Sequence, residues 1–113
     1  MTLRASVSVG ESGPVITLSG EVDITTAAEL SELIISQLAD ETQQLTVDVA
    51  GLDFADTAAI RVLLIAARRL RQRGGDLVLL RPQRTLARVL EILGADEAVT
   101  IQGDTEAPPE PEP

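Results

Sequence analysis

The sequence predicts an α/β domain: a mixed, mostly parallel sheet of four to five strands with an N-terminal hairpin and three main helices. Three observations lead there. Two short alternating stretches open the chain around a Gly- and Pro-containing turn, three later stretches repeat apolar residues at helical spacing, and short apolar runs stand between them. Strands joined through helices run parallel by right-handed crossovers, while a hairpin supplies an antiparallel pair.

Leu3 to Val9 and Val15 to Ser19 alternate apolar and polar residues across Gly10-Glu11-Ser12-Gly13-Pro14, which marks a hairpin turn. From Thr26 to about Ala39, Ala27, Leu30, Leu33, Ile34 and Leu38 form one helical stripe, and Thr26 with Glu29 three residues later matches a capping box. Leu45, Val47 and Val49 then alternate with Thr46 and Asp48 as a strand with one covered face. Ile60, Leu63, Leu64, Ala67 and Leu70 make a second stripe opposite Arg61, Arg68, Arg69 and Arg71, ended by Gly74-Gly75. Leu77 to Leu80 reads as a strand buried on both faces, Leu86, Val89, Leu90 and Leu93 as a third helix ended by Gly94, and Val99 to Ile101 as a short last strand.

Residues 1–103 form one domain in this reading, and 104–113 (DTEAPPEPEP) form a disordered acidic tail too polar to offset its ordering entropy. Removing its 4 carboxylates from the chain's 18 leaves 14 against 9 basic residues, net -5, so the domain itself is acidic. That balance argues against nucleic acid as a partner. The Arg cluster of the second half reads as a solvated helix face, and a partner that senses charge is expected to be basic and to dock near the acidic first half. With no Cys and no His, disulfides, thiol nucleophiles, imidazole bases and the usual zinc sets are excluded, and no metal or cofactor is expected. No small-molecule substrate is expected either. The longest apolar run, Val62 to Ala67, is far too short to span a bilayer, so the expectation is a cytoplasmic protein with no direct membrane insertion.

The stretch Asp53-Phe54-Ala55-Asp56-Thr57-Ala58-Ala59-Ile60 sits where strand gives way to helix. Asp56 occupies the N-cap position and Thr57 the first helical position, facing solvent because the core stripe begins at Ile60. The plainest reading of the pair is a helix cap. Capping and function are compatible, because a helix N-terminus accommodates added negative charge, and Arg61 lies one turn beyond Thr57, within reach of a phosphate there.

Gly20-Glu21-Val22-Asp23 followed by Thr26, then Val47 to Thr57 (VDVAGLDFADT), then Arg73-Gly74-Gly75-Asp76-Leu77, then Val89 to Gly94 (VLEILG), resemble in order the STAS family, the anti-sigma factor antagonists. The likeness runs from about Leu3 to Ile101. It implies a STAS-like fold and a switch rather than an enzyme: a protein that binds an anti-sigma factor kinase, frees a sigma factor for transcription, and is inactivated by phosphorylation of the hydroxyl after the motif's aspartate. Here that residue is Thr57. The resemblance places Asp23, Asp56, Thr57, Ala58, Ala59, Ile60 and Arg61 at the partner-binding end.

The family's usual run is Asp-Ser-Ser-Gly-Leu-Gly, whereas this chain has Asp56-Thr57-Ala58-Ala59-Ile60-Arg61. Ala59 and Arg61 are larger than the glycines they replace and are expected to hold a partner backbone further from the helix start. Two alternatives remain within the same resemblance: a small STAS subunit of a lipid-transport ABC complex, and a stressosome-like scaffold. A phospho-accepting receiver enzyme built on Asp48, Asp53 and Asp56 is disfavoured, since that family's chemistry uses a lysine and this chain has none, and since alternation turns Asp48 toward solvent.

Overall fold

The computed structural model describes residues 3–38 and 41–103. The expected tail at 104–113 lies outside the described residues, as does Ala39, the expected end of the first helix; that helix ends at Gln37, with Leu38 as its C-cap. The strands and helices follow in the order β1 (Leu3–Gly10), β2 (Gly13–Val22), α1 (Ala27–Gln37), β3 (Gln44–Ala55), α2 (Thr57–Gln72), β4 (Asp76–Leu80), α3 (Arg84–Ile92) and β5 (Thr100–Gln102). The five strands form one sheet in sequence order; β1 and β2 are antiparallel and every later pair is parallel. Strands added in order with one crossover hand place all three helices on the same face.

The core lies between that face and the helices. Ile16 and Leu18 of β2, Leu45, Val47 and Val49 of β3, and Leu77 and Leu79 of β4 pack with Leu30 and Ile34 of α1 and with Ile60, Leu63, Ala67 and Leu70 of α2, each at 2% exposure or less. These are the alternating strand positions and helical stripes of the sequence, with Leu and Val taking the place aromatics usually fill. Full burial of one such side chain contributes roughly 1.5–3 kcal/mol.

β3 runs to Ala55, six residues beyond the expected Val49, and the added length carries two irregularities. Its register against β2 shifts between Thr17 and Ser19 and again between Gly20 and Glu21. Extra residues on one strand break a strict period of two, which is why alternation stopped predicting strand after Val49. A Cβ on Gly51, in this segment, would come within 3.1 Å of the Leu18 carbonyl oxygen and the Ser19 Cβ, so a side chain there would push these neighbours by a few tenths of an ångström.

Asp48 does not face solvent. Alternation places it on the face away from the helices, as expected, but Arg81, just past β4, covers it: Arg81 Nη2 donates to Asp48 Oδ2 at 2.6 Å, and Asp48 is 8% exposed. The other carboxylate oxygen accepts from the Ala50 N–H at 3.0 Å, and Gln83 Nε2 donates to the Ala50 carbonyl at 2.8 Å. The β4–α3 connection is thereby fastened to the irregular part of β3.

Candidate functional site

Because β2, β3, β4 and β5 run parallel, the segments after their C-terminal ends collect at one end of the sheet, where α/β proteins commonly place their sites. Val22 pairs with Ala55, and the Asp56 N–H donates to the Val22 carbonyl at 3.1 Å. Asp23 and Asp56, far apart in sequence, therefore begin adjacent loops.

Asp56 has extended dihedrals (φ -94°, ψ -173°), and its Oδ1 accepts from the N–H groups of Ala58 at 2.9 Å and Ala59 at 3.3 Å. Its own carbonyl accepts the Ile60 N–H at 3.2 Å, so the Asp56 side chain and backbone together hold the Ala58, Ala59 and Ile60 amides at the start of α2. Thr57 is the first residue of α2 and is exposed, as is Arg61 one turn on. A shallow groove of about 460 Å³ starts at Thr57 and runs past Arg61, Leu64, Ile65 and Arg68 to Leu93.

Asp23 builds the neighbouring loop. Its Oδ1 accepts from the Thr25 N–H at 2.9 Å, the Thr25 hydroxyl at 2.6 Å and the Thr26 N–H at 3.2 Å. The Thr25 hydroxyl foremost, with backbone N–H groups of Thr25 and Thr26 adding to it against a partial desolvation, holds the Asp23 carboxyl below the usual carboxylate range. The capping box expected at Thr26 and Glu29 does not form. The Thr26 hydroxyl instead accepts the Asp23 N–H at 3.0 Å and donates to the Glu21 carbonyl at 3.3 Å. The chain already turns at Asp23, whose carbonyl accepts the Ala27 N–H at 2.8 Å, so the Asp23 carboxylate caps the turn at 24–26 that leads into α1, while Thr26, the N-cap residue, makes no side-chain cap bond.

Of the residues placed at this end by sequence, Thr57 and Arg61 are exposed, and Asp23, Asp56 and Ala58 are half-buried. Ala59 and Ile60 are 1% exposed and belong to the core. Two consequences correct the earlier expectation. The Ala59 methyl points inward, so it does not hold a docking partner away, and Ile60 only floors the groove between Thr57 and Leu93. Two exposed apolar residues were missed: Ile24, 80% exposed between Asp23 and Thr25, and Phe54, 47% exposed near the end of β3. Phe54 is the chain's one aromatic residue. An apolar residue outside every periodic stripe was the available signal for both.

Among the described residues, no group of three or more His, Cys, Asp or Glu could hold a metal, and no helix is long and apolar enough to cross a membrane. Comparison with known proteins then decides the family. The pattern described as the STAS domain matches residues 5–107. The chain belongs to the STAS domain family. Among relatives of this STAS protein is the anti-sigma-F factor antagonist RsfA of Mycobacterium tuberculosis, 30% identical over 107 residues that cover 93% of this chain and 84% of the relative. Another is the anti-sigma-B factor antagonist of Listeria monocytogenes, 30% identical over 87 residues, 77% of this chain and 76% of that one. The crystal structure of an anti-sigma factor antagonist from Mycobacterium paratuberculosis superposes with a TM-score of 0.81 at 20% identity, covering 91% of this chain and 87% of that one. The phosphorylated form of the Bacillus cell fate determinant SpoIIAA superposes with a TM-score of 0.70 at 20% identity, covering 89% and 93%. At these identities the superpositions establish the shared fold.

Proposed function

We propose that this STAS protein is an anti-sigma factor antagonist: it binds an anti-sigma factor through the end of the sheet formed by Asp23, Asp56, Thr57 and Arg61, and so regulates sigma-factor-dependent transcription in the cytoplasm. Phosphorylation of Thr57 by a Ser/Thr kinase activity in that partner switches binding off. The observation that carries the reading is the exposed, hydroxyl-bearing Thr57 at the first position of a helix capped by its neighbour Asp56. The curated relatives, named as antagonists of anti-sigma factors, support the partner class.

The chemistry follows from the cap. Thr57 Oγ1 bonds to the γ-phosphorus of ATP as the bond to the β,γ-bridging oxygen breaks and ADP leaves, and its proton passes to a base on the partner, which also holds the ATP site. The added group carries about -1.5 to -2 charges. Asp56 already occupies the N–H groups of Ala58 and Ala59, so the phosphate competes with a neighbouring carboxylate for the helix terminus and turns outward, within reach of Arg61. The fold tolerates this charge; a surface fitted to the unmodified hydroxyl does not.

Copurification from the native host with intact-mass measurement tests partner and modification together. The expected result is an anti-sigma factor bound to the unmodified chain, and a gain of one phosphoryl mass on incubation with that factor and Mg-ATP, absent in Thr57→Ala. In a titration Thr57→Glu should weaken binding more than tenfold, about 1.4 kcal/mol, while the melting temperature stays nearly unchanged. Equal affinities of the two proteins would remove the switch, and recovery of a transporter ATPase in place of a sigma regulator would replace the partner.

A further inference from the structure

The two edges of the sheet differ in a way the proposed switch does not use. β5 is three residues long, and a short edge offers little to pair with. β1 is eight residues long, and among the described residues no strand lies beyond it. Its eight pairs with β2 run from Leu3↔Gly20 to Gly10↔Gly13 without a register shift. From Ala5 to Gly10 it contains no charge and no proline. The usual protections of an exposed edge, namely a charge, a proline, a bulge or shortness, are thus missing over this run.

Pro14 has no N–H, so Val9↔Pro14 cannot be a hydrogen-bonded pair. Hydrogen-bonded and non-hydrogen-bonded pairs alternate along an antiparallel ladder, so Val7↔Ile16 and Ala5↔Leu18 are of the same kind. The N–H and C=O groups of Ala5, Val7 and Val9 therefore point away from β2, along the outer edge. The side chains of the same residues lie on the face of Ile16 and Leu18, yet Val7 is 43% and Val9 93% exposed, so the strand extends beyond the shelter of the helices.

We infer that β1 is a self-pairing edge, at which a second copy of this chain adds its own β1 antiparallel about a two-fold axis through Val7, joining two sheets into one. The register centred on Val7 sets Val7 against Val7, Ala5 against Val9 and Ser6 against Ser8, so every residue of the uncharged run finds a partner and Val9 gains apolar cover. It also sets Arg4 against Gly10 of the second copy, beside that copy's Glu11, one charge complementary to the other at each end. A two-fold contact of this kind is closed, and the assembly stops at two. The contact is a single strand pair, which places it with weak, concentration-dependent dimers.

Sedimentation velocity of the full chain tests this, with interference optics because the protein has neither Trp nor Tyr. The weight-average mass should rise from monomer toward dimer, and no further, between low and high micromolar concentration. Val7→Pro blocks the outer edge without removing a bond to β2, because the Val7 N–H points outward; it should remain monomeric with an unchanged melting temperature. Val7→Lys opposes two like charges at the axis and should act likewise. The chain has no cysteine, so Val7→Cys reports geometry directly. Hydrogen-bonded antiparallel partners lie about 5.5 Å apart at Cα, within the span of a disulfide, and mild oxidation should link Val7→Cys much faster than Thr85→Cys on α3. A monomer at every concentration, a dimer that survives both Val7→Pro and Val7→Lys, equal cross-linking of the two cysteine variants, or growth beyond two copies would each overturn the inference.

Discussion

Asp56 aims one carboxylate oxygen at the amides of Ala58 and Ala59 and thereby sets both the start of α2 and the outward position of Thr57. Asp56→Ala should cost about 1 kcal/mol in urea unfolding, while Asp56→Asn, which keeps an acceptor oxygen, should cost a few tenths. Equal losses in the two variants would assign the effect to charge and not to the cap. Asp23 provides a second test at this scale. Its folded pKa lies below its unfolded value, so the loop's stabilisation is complete above the ordinary carboxylate range and fades as pH falls through the lowered folded pKa. Asp23→Asn should flatten that acid limb, and chemical-shift perturbation at Thr25 and Thr26 across an acid titration should disappear with it. The hydroxyl-bearing end was legible from local order, since a strand, an aspartate and a threonine before an apolar stripe specify a capped helix. The roles of Thr26, Ala59 and Ile60 were not, because the turn at Asp23 and the rotation of α2 onto the sheet determine which side chains remain outside.

The junctions decide how each helix meets the next strand. α2 ends as the sequence led one to expect, with Gly74 at φ 78° and the Gly75 N–H donating to the Leu70 carbonyl at 2.7 Å. The two glycines are required for different reasons. A Cβ on Gly74 meets nothing within 4 Å, so Gly74→Ala carries only the left-handed backbone penalty, about 1–2 kcal/mol. A Cβ on Gly75 would come within 2.0 Å of the Gln43 carbonyl oxygen, a backbone atom at the entrance to β3. Gly75→Ala should therefore lower the melting temperature well beyond Gly74→Ala, and the reverse order would show that this junction yields. The glycine pair was visible as a stop signal, but a clash with Gln43, which is distant in sequence, was not. The same holds for β3: its alternation identified Leu45 to Val49, and the two shifts against β2 hid the rest.

Over the whole molecule, charge and topology act together. The parallel strands carry Asp23 and Asp56 to one end of a chain whose net charge is -9, so a basic partner approaches an attractive field. Its association rate should fall about tenfold or more from low to physiological ionic strength, with a much smaller change in dissociation rate. A salt-insensitive association rate in stopped-flow measurements would mean that the docking surface is apolar, centred on Ile24 and Phe54. The alternation of elements, the amphipathic stripes, the glycine stops and the position of Thr57 follow from nearest-neighbour chemistry, and the amino-acid order alone determined them. Pairing between distant strands decided the rest: the Arg81 cover over Asp48, the adjoining loops of Asp23 and Asp56, and the place of β1 at the edge of the sheet. Each of these depends on which backbones lie side by side, and a period of two or of 3.6 residues along the chain carries no record of what lies across from it.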